Sequence, residues 1–203
     1  ILVRIAAAEP KREPATGASR SPVAAGGPSL PAQEKEPIPV LEISGVPERY
    51  RAAVREIKRQ AHRELLARLI ECEAGGEGEN GMKAVASVVM NRVRSTGGEY
   101  ARVGQGSIRK IIMQPGQFVC ASETERGAYN PQNIYNMRPT DVHYSIADWA
   151  MAGNRLTGLG DALWFFNPFS DTCRPNFPSQ VGVFRVRIGD HCFYDPTEAY
   201  YDT

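Results

Sequence analysis

The feature that most constrains this fold is a change of hydrophobic period along the chain. Tyr50, Val54, Ile57, Ala61, Leu65 and Leu69 recur three or four residues apart, and Met82, Val85, Val89 and Val93 do the same. That spacing keeps one stripe of a helix apolar. The first series predicts a helix between about Pro47 and Ile70 that buries one face and leaves Arg51, Arg55, Lys58, Arg59 and Arg63 in solvent. The second predicts a helix capped by Asn80 and ended before Ser95-Thr96-Gly97-Gly98. Ser107 fits the cap of a short helix through Ile111 and Ile112, and Thr140 that of another across Ile146, Trp149 and Ala150, closed by Gly153. After Gly160 the period shortens. Ala162 to Phe166 is a strand-like apolar run stopped by Asn167-Pro168, and Val183 to Ile188, Gly189-Asp190 and His191 to Tyr194 spell a β-hairpin. Helices first and strands last give an α+β class.

A chain of 203 residues holds one ordinary domain and a tail. From Glu9 to about Pro39 it is rich in Pro, Ala, Gly, Ser and charges, with hardly a large apolar side chain. Such a segment buries too little to offset its ordering entropy, so residues 1–45 are expected to be a flexible tether and 46–203 a single domain with its core over about 61–195. Lys and Arg number 24 against 23 Asp and Glu, so no global charge draws the chain to nucleic acid or anionic lipid. No stretch reaches the roughly 18 apolar residues of a membrane span. Ile1 to Ala8 is compatible with the tail of a removed signal peptide.

Cys72, Cys120, Cys173 and Cys192 are widely spaced, with no C-x-x-C pair of the kind that zinc ribbons use. The two readings are one or two disulfides in an exported protein, with three full pairings open, or four buried thiols. His62, His143 and His191 are dispersed and read as structural or surface residues.

The chemistry concentrates in Ile70 to Gly81, where Glu71, Glu73, Glu77 and Glu79 lie among glycines. Glycosidic cleavage needs a protonated carboxyl that reaches the bridging oxygen as the sugar becomes oxocarbenium-like, and partial burial is what keeps such an acid protonated. Alone, an acidic glycine-rich loop also fits a solvated turn or an oxygen-rich calcium site, although EF-hand spacing is absent.

Several motifs occur together and in order. Glu73-Ala74-Gly75-Gly76-Glu77 and Gly81 precede the helix Ala84 to Val93 with its Asn91-Arg92-Val93, then Pro115-Gly116-Gln117-Phe118, and finally Phe165-Phe166-Asn167-Pro168. Over roughly Leu66 to Tyr194 this combination resembles the SleB/CwlJ cell wall hydrolase family, the spore cortex-lytic enzymes. The resemblance implies a lysozyme-like, lytic transglycosylase-like helical core with a small β-sheet or hairpin subdomain toward the C-terminus. It implies cleavage of the β-1,4 bond between N-acetylmuramic acid and N-acetylglucosamine in peptidoglycan. Glu73 carries over as the catalytic acid, with Glu77 lining the same site. The chain departs from the family pattern at Gly75, where Arg is usual, at Glu71-Cys72, where Tyr-Gly is usual, and over Glu123 to Asp141, which has no counterpart.

Asn91, Gln117, Phe118, Phe166 and Asn167 are the expected substrate-binding residues, the aromatics as flat faces for pyranose rings. Core packing is the alternative for each ring, and a hydrogen bond supporting the Glu73 loop is the alternative for Asn91. No cofactor or metal is expected. The expected partner is the glycan strand, and the expected location is the cell wall, spore cortex or periplasmic space after export. A single carboxyl suffices for a lytic transglycosylase, with Glu77 tuning Glu73. Hydrolysis, an N-acetylmuramoyl-L-alanine amidase and a non-catalytic wall-binding protein are the competing readings.

Overall fold

The computed structural model describes residues 47–203, and the expected tether over 1–45 lies outside them. Six helices and five strands follow in order: α1 (Glu48–Ala74), α2 (Gly78–Arg94), α3 (Gly98–Gly104), α4 (Ile108–Ile112), β1 (Thr124–Glu125), β2 (Ala128–Tyr129), α5 (Asp141–Met151), β3 (Trp164–Phe166), β4 (Gly182–Ile188), β5 (His191–Pro196) and α6 (Glu198–Tyr201). The α+β class is the one that the change of period predicts, while the β1–β2 pair between α4 and α5, the short α3 and the closing α6 fall outside the expected series of helices first and strands last.

The middle of α2 is buried nearly all round, from Ala84 to Arg92, because α1, α3, α4 and α5 all pack against it. Each Val or Met fully enclosed there contributes about 1.5–3 kcal/mol over exposure. Ser107 caps α4 by accepting from the Lys110 N–H at 3.4 Å, and the Thr140 N–H donates to His143 Nδ1 at 3.0 Å at the start of α5. His143 is therefore a structural histidine. β5 is the centre of a three-stranded antiparallel sheet, with Trp164 opposite Tyr194 on one side and Ile188 opposite His191 on the other. The predicted Gly189-Asp190 turn joins β4 to β5.

Two expectations are corrected. The apolar stripe of α1 is buried only in its second half: Leu65 and Leu69 are enclosed, whereas Tyr50 and Ile57 are exposed because no element among the described residues packs over the helix start. Arg63 is also not simply solvated, since its Nε donates to Asp148 of α5 at 2.8 Å. The second correction concerns the acidic run. Helical bonding continues through Ala74, the Gly75 N–H donates to Glu71 O at 3.0 Å, and only Gly75 to Glu77 break the path before α2. Asn80 consequently lies inside α2, and the cap position is Glu77.

Candidate active site

Glu73 sits in the last turn of α1, on the face turned to the core, and only 2% of it is exposed. Its Oε1 accepts from Cys120 Sγ at 3.4 Å, while Oε2 is buried with no partner among the described residues. Burial pushes the carboxyl up to about 7, against the Cys120 hydrogen bond and the positive charge of Arg92, which both pull it down. The balance leaves a carboxylic acid that is neutral at acid pH and poised near neutrality.

Arg92 is itself enclosed in α2. Its Nε donates to Leu163 O at 2.7 Å, its guanidinium lies 4.6 Å from the Tyr100 ring centre and 5.2 Å from that of Phe118, and Nη1 and Nη2 have no hydrogen-bond partner among the described residues. A buried guanidinium stays charged, so its field reaches Glu73 with little screening. Cys120 is buried beside Cys72, and the Cys72 contact followed by burial pushes its thiol up, which keeps it a hydrogen-bond donor.

Glu77 has different partners. Its Oε2 accepts from the Asp190 N–H at 2.7 Å and its Oε1 lies 3.6 Å from His191 Nδ1. The carboxylate thus ties the α1–α2 corner to the tip of the β4–β5 hairpin. Gly189 is required on two counts: its φ is 57°, and a Cβ there would come within 2.1 Å of Glu77 Oε2. Burial pulls His191 down from its ordinary value, while the Glu77 carboxylate opposes that shift.

The expected binding residues divide into two groups. Asn91 donates to Gly160 O at 3.3 Å and Ala162 O at 3.1 Å, joining α2 to the segment before β3. Gln117 is buried and accepts from Tyr100 Oη at 3.0 Å. Phe118 is buried with its ring centre 6.4 Å from that of Phe165. These three form supporting walls in this conformation. Phe166 and Asn167 reach the surface partially, at the end of β3. The Phe166 ring lies tilted against Phe177 at 4.3 Å and stacks on Tyr194 at 5.8 Å between centres. Asn167 Oδ1 accepts from the Phe169 N–H at 2.8 Å.

That last bond reveals a residue that sequence reasoning missed. Phe169 holds φ 52° with 69% of its surface exposed. A bulky residue in the left-handed region is an outlier of the kind that clusters at functional sites. Arg187 connects this loop to the Glu77 corner, donating to Ser170 O at 2.8 Å and Gly189 O at 3.1 Å. The F-N-P-F run was the available signal. Arg92 and Cys120 were missed as well, one inside a quoted motif and the other two residues past Phe118. A cavity of about 170 Å³ is lined by Asn91 together with Arg94, Arg155 and Asp161 among others, and neither glutamate lines it. The single disulfide among the described residues, Cys173–Cys192, fastens the loop after Phe169 to β5, and Cys72 and Cys120 are free.

Comparison with known proteins bears on this arrangement. The sequence profile of the family described as Cell Wall Hydrolase matches residues 76–194, which includes Glu77, Asn91, Arg92, Phe118 and all of the sheet but the end of β5. The chain belongs to the cell wall hydrolase family. As an enzyme of the SleB/CwlJ type, it acts on peptidoglycan. Glu73 lies three residues before the matched span. The protein is 32% identical over 134 residues to the cell wall hydrolase CwlJ of Bacillus subtilis (strain 168), a match covering 66% of this chain and 84% of that one. It is 31% identical over 136 residues to CwlJ of Halalkalibacterium halodurans, covering 67% and 86%. Among solved structures, the catalytic domain of the germination-specific lytic transglycosylase SleB from Bacillus anthracis is similar at 24% identity, covering 67% of this chain and 95% of that one, with a TM-score of 0.46.

Proposed function

We propose that this cell wall hydrolase cuts the β-1,4 bond between N-acetylmuramic acid and N-acetylglucosamine as a lytic transglycosylase, with Glu73 as its acid/base group. The observation that carries the reading is a carboxyl enclosed at the end of α1, with one oxygen unpartnered and no ion-pair partner among the described residues. Such a group retains its proton until a better acceptor arrives.

Protonated Glu73 gives its proton to the glycosidic oxygen as the bond to the muramic anomeric carbon breaks. The N-acetylglucosamine end leaves as an alcohol and positive charge builds on the ring. Glu73, now a carboxylate, stabilises that charge and then takes the proton of the muramic 6-hydroxyl, whose oxygen bonds to the anomeric carbon. The product is a 1,6-anhydro sugar, the acid is restored, and no water is consumed. This route is favoured over hydrolysis because both oxygens of Glu77 are engaged by Asp190 and His191, so that carboxylate is not at hand to activate water.

In this reading Phe166, Asn167 and Phe169 offer the sugar a partly apolar, partly polar edge, and Asn91, Gln117 and Phe118 brace the walls behind it. Glu77 is a positioning residue. The Cys173–Cys192 bridge supports export to an oxidising compartment, where the wall lies. Mass spectrometry of the soluble fragments tests the reaction. Anhydro-muramic ends are expected; reducing muramic or glucosamine ends would assign hydrolysis instead, and release of free peptide would assign an amidase. Glu73→Gln, which keeps shape and removes the acid, is expected to leave the wall intact.

A further inference from the structure

Beside Glu73 stand two thiols that the proposed mechanism does not need. Cys72 precedes it on α1, and Cys120 follows the Gln117-Phe118 pair. One ligand atom from each of Cys72, Glu73 and Cys120 can be chosen so that all three lie within 4.8 Å of one another. We propose that these three side chains form a binding site for one thiophilic divalent cation, with Zn2+ as the natural fit, and that filling the site halts cleavage by occupying the acid. The inhibitory half rests on Glu73 being the catalyst; the binding half does not.

The spacing can close on tetrahedral zinc with a small contraction of the longer edges. With Zn–S near 2.3 Å and Zn–O near 2.1 Å, adjacent ligands of a tetrahedron sit about 3.6–3.8 Å apart. The Cys120 Sγ to Glu73 Oε1 separation is 3.4 Å, so that edge already has nearly the required length. A soft pair of sulfurs with one carboxylate selects zinc-like ions over magnesium or calcium, which want more oxygens. Glu73 Oε2 is buried without a partner among the described residues, so the carboxyl keeps an unused acceptor.

Charge balance points the same way. On binding, each thiol and, where it is still protonated, the Glu73 carboxyl release their protons to solvent, and two thiolates, one carboxylate and the dication leave a net charge of minus one. Arg92, fully buried and near enough to act on Glu73, supplies the compensating positive charge with two nitrogens that have no hydrogen-bond partner among the described residues. Cys72 is only half-buried, which provides an entry path. Three protein ligands leave a fourth position for water, so the bound ion remains exchangeable.

Cadmium is the spectroscopic probe. The full chain, reduced, freed of metal and titrated with Cd2+, is expected to develop the ultraviolet thiolate-to-cadmium band at one ion per chain and to lose it to competing Zn2+. Cys72→Ser and Cys120→Ser are each expected to weaken binding by more than about tenfold, a floor set by the 10–100-fold cost of losing even an outer-shell partner. Zn2+ is expected to arrest cleavage, and a chelator to restore it. Absence of the band in reduced protein that melts cooperatively and titrates two free thiols overturns the site, as does isolation of the chain with Cys72 already joined to Cys120. Glu73→Gln separates the two readings. Unchanged metal affinity in that variant removes the carboxyl from the site and overturns the proposal, whatever its cleavage. Weakened affinity with cleavage intact keeps the site and refutes Glu73 as the acid.

Discussion

Glu73 and Glu77 are the same residue four positions apart, yet their surroundings differ in kind. Glu77 accepts a backbone N–H at 2.7 Å and faces His191, so its charge is used to hold the sheet against the helices. Glu73 has a weak thiol donor on one oxygen and nothing on the other among the described residues. A well-solvated or well-bonded carboxylate is stable as an anion and holds a proton poorly; a sheltered, under-satisfied one holds its proton near neutral pH. On the proposed mechanism this contrast assigns Glu77 to structure and Glu73 to chemistry.

The largest expected effect is on rate. Glu73→Gln is expected to lower cleavage of purified peptidoglycan by about 10²–10⁴-fold, the range that a positioned general acid supplies, with the fold retained. Near-normal turnover in that variant would erase the distinction between the two glutamates.

The next effect is on stability against pH. The folded value of Glu73, about 7, lies above its ordinary 4.5. Below pH 4.5 both folded and unfolded chains carry the proton and no penalty exists. Between there and about 7 the unfolded chain ionises first, so Glu73 costs the fold an increasing amount that reaches about 3 kcal/mol and then levels off. Glu73→Gln is therefore expected to raise Tm above that of the parent at pH 8 and to match it near pH 4. The cleavage rate of the parent should fall as pH rises through about 7, as the acid form is lost. A pH-independent difference in Tm would contradict the sheltered-acid picture.

Smaller again is the cost of loosening the Glu77 corner. Gly189→Ala meets both an unfavourable φ and the Glu77 oxygen, and is expected to lose about 1–3 kcal/mol in denaturant melts. Glu77→Gln should lose less, because the amide oxygen can still accept from Asp190. If Glu77→Gln instead abolished cleavage at full stability, Glu77 would join the chemistry.

The smallest effect is expected at Phe169. Phe169→Ala should raise KM by about tenfold or less, the worth of one exposed aromatic face, and should leave Tm near that of the parent, because alanine keeps the Cβ that the left-handed φ opposes. A fall in kcat with unchanged KM would place the ring outside sugar binding.

Much of this was legible in the residues themselves. The helix at Val85 to Val93, the caps at Ser107 and Thr140, and the hairpin turning at Gly189-Asp190 all follow from local spacing and turn chemistry, which depend on neighbours in the chain. The end of α1 was misread because glycine frees the backbone but does not forbid helix, so Gly75 continued the hydrogen-bonding pattern. The exposed start of α1 was misread because periodicity records which residues share a face, not whether anything covers it.

The sequence by itself determined the α+β class, the main helices and the C-terminal hairpin, and the acidic, glycine-rich corner where the chemistry was expected. Only the tertiary structure decided that Glu73 meets Cys120 and Arg92, that Glu77 is taken by Asp190 and His191, and that Phe169 rather than Phe118 faces outward. The physical reason is that proton affinity is set by burial and by charges brought from distant parts of the chain, and those distances exist only once the helices and the sheet have packed together.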